Sequence, residues 1–197
     1  MTKTNDQESA PQSRGSEVRE KLLEAGAELI PELGWNGVST RKLAERAEVR
    51  SGLVHYHFDS LQDLLCQSAM RVIRETLGAV GGALALVDQP EDAVDAMLAH
   101  IDMFSGLDPT SLLFAETYLQ ATRDERLRDE FTTATVEFQE EVGQFLERHN
   151  ISSDGPALTF MSALDGFVLH KALNPSLAAS TMAPSLKQVL RSESGAA

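Results

Sequence analysis

Apolar residues along this chain recur at intervals of three and four, and nowhere do they alternate over a sustained run. The first series is Val18, Leu22, Ala25, Leu29 and Leu33, with Glu17, Arg19, Glu20, Glu24, Glu28 and Glu32 mostly on other sides. A later series, Leu127, Phe131, Phe138, Val142 and Phe145, forms another stripe. A half-buried strand needs a period of two, whereas a helix with one buried face needs a period near 3.6. The expected fold class is therefore all-α, with no sheet. No repeat of fixed length is visible, which sets aside a solenoid.

Turn and cap residues divide the helical pattern. Gly34 is a stop signal for the first helix, and Pro31 removes a backbone donor near its end. Ser39 or Thr40 can cap a short helix running to about Ala47, and a second short helix spans about Ser51 to His57. Asp59 and Ser60 precede a long helix from Leu61 towards Val87. Further helices begin at Pro90, Asp108-Pro109, Arg123, Gly155-Pro156 and Pro184, and Asn174-Pro175 ends the penultimate one. The expected organisation is a disordered tail at 1–15, a head at 16–60, a larger helical body at 61–192 and a tail at 193–197.

At 42% hydrophobic and 24% charged, the composition is that of an ordinary globular protein. No apolar run approaches the roughly 18–20 residues that cross a bilayer, and Thr76 to Val87 is interrupted by Gly78, Gly81 and Gly82. The N-terminus lacks the basic-then-apolar layout of a secretory signal. Cys66 is the single cysteine, so no internal disulfide forms. A cytoplasmic protein without a membrane partner is expected.

The net charge of −13 opposes contact with a polyanion, so its distribution matters. Residues 61–197 hold nine Lys/Arg against twenty Asp/Glu, whereas residues 14–60 hold seven against eight. Within 38–58 the balance reverses: Arg41, Lys42, Arg46 and Arg50 outnumber Glu45 and Glu48. Any nucleic-acid contact must use that local excess.

Residues 38–58 read VSTRKLAERAEVRSGLVHYHF. Leu43, Ala44, Ala47, Val49, Val54 and Phe58 supply an apolar side that joins two short helices across a tight turn. The outer side of the second helix presents Ser51, His55 and Tyr56. Such a helix-turn-helix lays its first helix across the DNA backbone and places the second in the major groove. Arg41 and Arg50 flank the two helices and suit phosphate or guanine contact, while Lys42 and Arg46 read as solvated surface. Ser51 and Gly52 stand where backbone can approach a phosphate. The expected DNA contacts are Thr40, Arg41, Arg50, Ser51, Gly52, Leu53, His55 and Tyr56. His55 and His57, two apart on a helix, point to different sides and cannot share a metal ion. Paired short helices also occur in proteins that never meet DNA, so spacing alone does not decide.

The residue types do more. Leu29 to Gly34, Ser39-Thr40-Arg41, Leu43-Ala44, Val49-Arg50-Ser51-Gly52-Leu53-Val54, His57-Phe58, Ser60 and Asp63-Leu64-Leu65 together resemble the TetR family of bacterial regulators. The resemblance is specific over about residues 16–66 and architectural beyond them. Ala163 to Phe167, followed by Leu173-Asn174-Pro175, looks like one of the family's last body helices. Three positions depart from the pattern: Glu48 stands for the turn glycine, His55 for a tyrosine, and Leu61 for a lysine. A side chain in a left-handed turn costs roughly 1 kcal/mol, so with Glu48 the turn either differs from the family's or is slightly strained.

The resemblance implies a homodimeric repressor on a palindromic duplex operator, released by a small-molecule effector bound in the body. Met97, His100, Ile101, Phe104, Phe114, Tyr118, Met161 and Leu164 are the candidate ligand residues. His100, Tyr118 and Asp165 are the polar groups available to such a pocket. The segment Leu158 to Leu169 is apolar on nearly every side, and such a helix must be covered all round. Pairing it with the Phe131–Phe145 helix across a twofold axis gives a dimer interface at Phe138, Val142, Phe145, Leu158, Met161, Phe167 and Val168. No catalytic constellation, phosphate loop, dinucleotide fingerprint, metal site or cofactor site is visible. An activator, a regulator without an effector, an all-helical enzyme and an interaction adaptor are the alternative readings.

Overall fold

The computed structural model describes residues 11–152 and 154–193. Every regular element among them is helical, and they fall into two compact units divided between Ala69 and Met70.

The first unit contains α1 (Pro11–Leu33), a 3-10 turn at Trp35–Gly37, α2 (Thr40–Arg46), α3 (Gly52–His57) and the opening turns of α4 (Leu61–Leu84). α1 begins before the position expected from its apolar pattern, at a proline whose fixed φ suits the first turn. Of the tails expected at 1–15 and 193–197, residues 1–10 and 194–197 lie outside the described residues, whereas 11–15 belong to α1 and Glu193 to the last helix. Leu22, Ile30, Leu43, Val54, Leu64 and Leu65 are fully enclosed. Leu33, expected on the buried stripe of α1, is instead 38% exposed, and Ile30 takes the inner position. At Gly34 (φ 72°) the chain leaves α1 in a conformation open to glycine. Trp35 then buries its ring and donates from Nε1 to Gln62 Oε1 at 2.7 Å, joining the turn to α4.

The second unit holds the rest of α4, then α5 (Pro90–Asp102), α6 (Pro109–Ala121), α7 (Glu125–Arg148) and α8 (Asp154–Leu173), a 3-10 turn at Ala179–Met182, and α9 (Ala183–Glu193). Their starts follow capping chemistry. Asp108 Oδ1 accepts from Ser111 N at 3.0 Å, Asp124 Oδ1 accepts from Leu127 N at 3.0 Å, and Pro90 and Pro109 occupy first turns. One apolar core runs between α5, α7, α8 and α9.

Four of the seven residues expected at the dimer interface belong to that core. Phe138, Val142, Phe145 and Phe167 are buried within the single chain. α7 turns its apolar stripe inward and exposes Glu137, Glu140, Glu141 and Gln144, so it offers no apolar half to a bundle. Met161 and Val168 are half-buried, and of the seven expected residues only Leu158 is largely exposed, at 56%. The apolar side chains left uncovered on α8 are Leu158, Leu169 and Leu173, which share one face at spacings of eleven and four.

Candidate functional site

The two short helices of the first unit form where local signals place them. Ser39 caps α2 by accepting from Lys42 N at 3.3 Å, and Ala47 closes it. The chain reverses at Glu48 with φ 54°, and Val49 N donates back to Ala44 O at 2.9 Å. Of the two outcomes expected from the missing glycine, the left-handed residue is the one present. Leu43, Ala44, Ala47, Val54 and Phe58 are buried, which fixes the relation of α2 to α3.

Of the predicted contact residues, Arg41, Arg50, Ser51, Gly52, His55 and Tyr56 are exposed, while Thr40 and Leu53 are half-buried. Tyr56 is 79% exposed, far more than an aromatic ring with a packing role requires. Ser51 stands at the N-cap position of α3 but makes no capping hydrogen bond. A Cβ at Gly52 would meet nothing within 4 Å, so no internal packing demands glycine there. His57 is half-buried, its ring perpendicular to that of Tyr56 with centroids 4.9 Å apart.

The four cations of this segment divide into two pairs. Arg46 is committed internally: it binds Glu32, and Glu28 at 2.9 Å, tying α2 to α1. Those two carboxylates raise its pKa above the ordinary arginine value. Lys42 Nζ donates to Gly37 O at 2.8 Å. Arg41 and Arg50 make no ion pair among the described residues and remain available to an external anion. The sequence signal for Arg46 was present, since Glu28 and Glu32 form an i,i+4 acidic pair on α1.

In the second unit, Met97, Ile101, Met161 and Leu164 belong to or pack against the apolar core. Phe114 is half-buried on α6. Tyr118 is 63% exposed and stands edge-to-face with Phe131, with ring centroids 6.0 Å apart. A small cavity of about 10 Å³ lies between α5, α7, α8 and α9, bordered by Ala93, Met97, Val142, Phe145 and Phe160. It has room for about one water molecule. Of the predicted ligand residues, Met97 alone lines it. His100, further along α5, and Phe104, two residues beyond its end, have ring centroids 5.2 Å apart, and His100 Nε2 is enclosed without a hydrogen-bond partner among the described residues.

Comparison with known proteins adds identity to this geometry. Residues 22–67 match the bacterial regulatory proteins of the tetR family, and residues 67–192 match the tetracyclin repressor-like C-terminal domain. The chain belongs to the TetR family. An uncharacterised helix-turn-helix-type transcriptional regulator of Mycobacterium tuberculosis is 28% identical to this TetR-family regulator over 119 residues. The match covers 60% of each chain, so the regulator spans about 60% of the length of the curated relatives it matches. Among solved structures, a transcriptional regulator from Rhodococcus superposes with a TM-score of 0.76 at 19% identity, covering 91% of this chain and 99% of that one. The multidrug binding protein EbrR, solved in complex with imidazole, gives a TM-score of 0.71 at 26% identity, covering 95% and 97%. Among the described residues of this regulator, no helix is long and apolar enough to cross a membrane.

Proposed function

We propose that this TetR-family regulator is a homodimeric repressor that reads a palindromic duplex operator and is released by a small-molecule effector. The observation that carries the reading is the contrast within one segment. Arg46 is bound by two glutamates, while Arg41 and Arg50 stand exposed and unpaired beside Ser51, His55 and Tyr56. On a chain of net charge −13, exposed unpaired cations beside a short exposed helix suit a polyanion. Arg41 and Arg50 then hold phosphates, and α3 presents His55 and Tyr56 to base edges.

The dimer uses the apolar face that one chain leaves open. Leu158, Leu169 and Leu173 lie on one side of α8. Met103 and Leu107, 72% and 58% exposed, flank Gly106, whose backbone abuts Ala172 on the same helix. A twofold copy of this patch covers itself, and the dimer supplies two copies of α3 for two half-sites. Effector binding in the second unit favours another arrangement of α4, which follows α3 after three residues. The effector shifts operator affinity by its differential affinity for the two arrangements.

The test is fluorescence anisotropy on duplexes selected from a random pool. Arg41→Ala and Arg50→Ala should each weaken binding and lower the salt slope by roughly one unit, with the fold intact by circular dichroism. Unchanged isotherms for both variants across a salt series refute the assignment.

A further inference from the structure

The effector named above is so far a molecule without chemistry, and the interior of the second unit restricts what it can be. The cavity is bordered by apolar side chains throughout, with Ala93, Met97, Val142, Phe145 and Phe160 among them. A charged ligand here would lose its hydration without gaining a counter-charge. The one Lys or Arg buried among the described residues, Lys171, is occupied by Asp102, at 3.1 Å from Nζ to both the carboxylate and the backbone oxygen.

One polar atom breaks the apolar pattern. His100 Nε2 is fully enclosed and has no hydrogen-bond partner among the described residues. His100 follows Met97 by three positions on α5, so the two side chains share a helix face. A buried imidazole nitrogen is costly when left unmatched, and such atoms in native proteins usually have a partner. The edge of Phe104 lies against the His100 ring and supplies no hydrogen-bonding group.

The cavity is small, but its walls are adaptable. Met97 borders it and Met161 packs against the same core. A methionine side chain has three rotatable bonds and fills or vacates space at low cost. Rotamer changes at these two residues are the source of the added volume that a ligand between Met97 and His100 would require.

We infer that the effector is a small, uncharged, largely apolar molecule carrying one hydrogen-bonding group, held by apolar contacts around Met97 with that group on His100 Nε2. The inference rests on the effector reading above.

Calorimetric titration of the full chain without DNA tests it with four probes: p-cresol, toluene, benzoate and phenyltrimethylammonium. The wild type should bind p-cresol roughly fivefold to tenfold more tightly than toluene, the value of one hydrogen bond, and more tightly than either ion. His100→Phe should bring the cresol-to-toluene ratio to about one, while His100→Gln, which keeps a hydrogen-bonding group, should retain the preference. Circular dichroism checks both folds. Equal binding of cresol and toluene by the wild type overturns the inference. So does a cresol preference that survives in His100→Phe, tighter binding of either ion, or no binding of any probe at millimolar concentration. Because no DNA is present, these outcomes are independent of whether operator binding itself is found.

Discussion

Gly26 on α1 faces Ser68 on α4 so closely that a Cβ at Gly26 would lie 2.9 Å from Ser68 Cβ and closer still to its hydroxyl. Glycine is required here by the approach of two helices. Ser68 is fully buried and its Oγ has no hydrogen-bond partner among the described residues, which marks the contact as steric. Gly26→Ala should destabilise the first unit by about 1–3 kcal/mol, the usual cost of overpacking a core. Adding Ser68→Ala should recover part of the loss. Urea denaturation of the single and double variants measures both, and a Gly26→Ala variant as stable as the parent contradicts the close approach.

The turn between α2 and α3 makes the opposite prediction. Glu48 holds φ 54°, a conformation glycine adopts without penalty. Glu48→Gly should stabilise the protein by roughly 1 kcal/mol, and its operator affinity should be unchanged. Thermal melting and anisotropy together check this. A lower melting temperature would show that the glutamate side chain contributes more than its backbone costs.

Much of this was legible beforehand. Helix starts at Pro90 and at Asp108-Pro109 depend on neighbours within four residues, and such signals are printed in the sequence. The glycine missing at position 48 likewise marked the turn as altered or strained. The assignment of α7 to a dimer interface meets a limit of another kind, because its apolar residues are already covered within one chain. Periodicity reports which residues share a face, and Phe138, Val142 and Phe145 do share one. It does not report whether the same chain or a second copy covers that face. Trp35 with Gln62, and Asp102 with Lys171, pair residues 27 and 69 positions apart, and no local pattern encodes either partner.

The Asp102–Lys171 pair predicts a pH dependence. The Ala179 N–H, at 2.7 Å, then Lys171 and the Ser180 N–H, hold the Asp102 carboxyl below the usual carboxylate range despite partial burial. A depressed folded-state pKa contributes stability that is present above the unfolded value, near 4, and is lost as pH falls through the folded value. Asp102→Asn should cost about 2 kcal/mol at pH 7, largely by leaving the buried Lys171 without a counter-charge. The gap between wild type and variant should narrow as pH drops below about 4. Urea midpoints at pH 7, 5, 4 and 3 test the trend, and a gap that widens in acid reverses the sign argued here.

The exposed face of α8 sets the oligomer prediction. If Leu169 and Leu173, 57% and 87% exposed, meet their copies, the wild type should sediment at about twice 21.4 kDa. Leu169→Glu/Leu173→Glu should sediment as a monomer with helical content retained. Phe145→Leu, confined to the inner face of α7, should change stability without changing mass. A wild type that remains monomeric at micromolar concentration removes the interface.

Sequence separation also translates into time. Lys171 and Ala179 must find Asp102 across 69 and 77 positions, and the intervening chain forms α6, α7 and α8. Contacts that close such long loops slow folding, because ordering entropy is lost before the contact forms. The first unit makes its ties over shorter spans, such as 27 positions for Trp35 and Gln62 and 18 for Arg46 and Glu28. On the ribosome, the segment that carries Arg41 and Arg50 can therefore finish folding while the partners of Asp102 at Lys171 and Ala179 are still being synthesised.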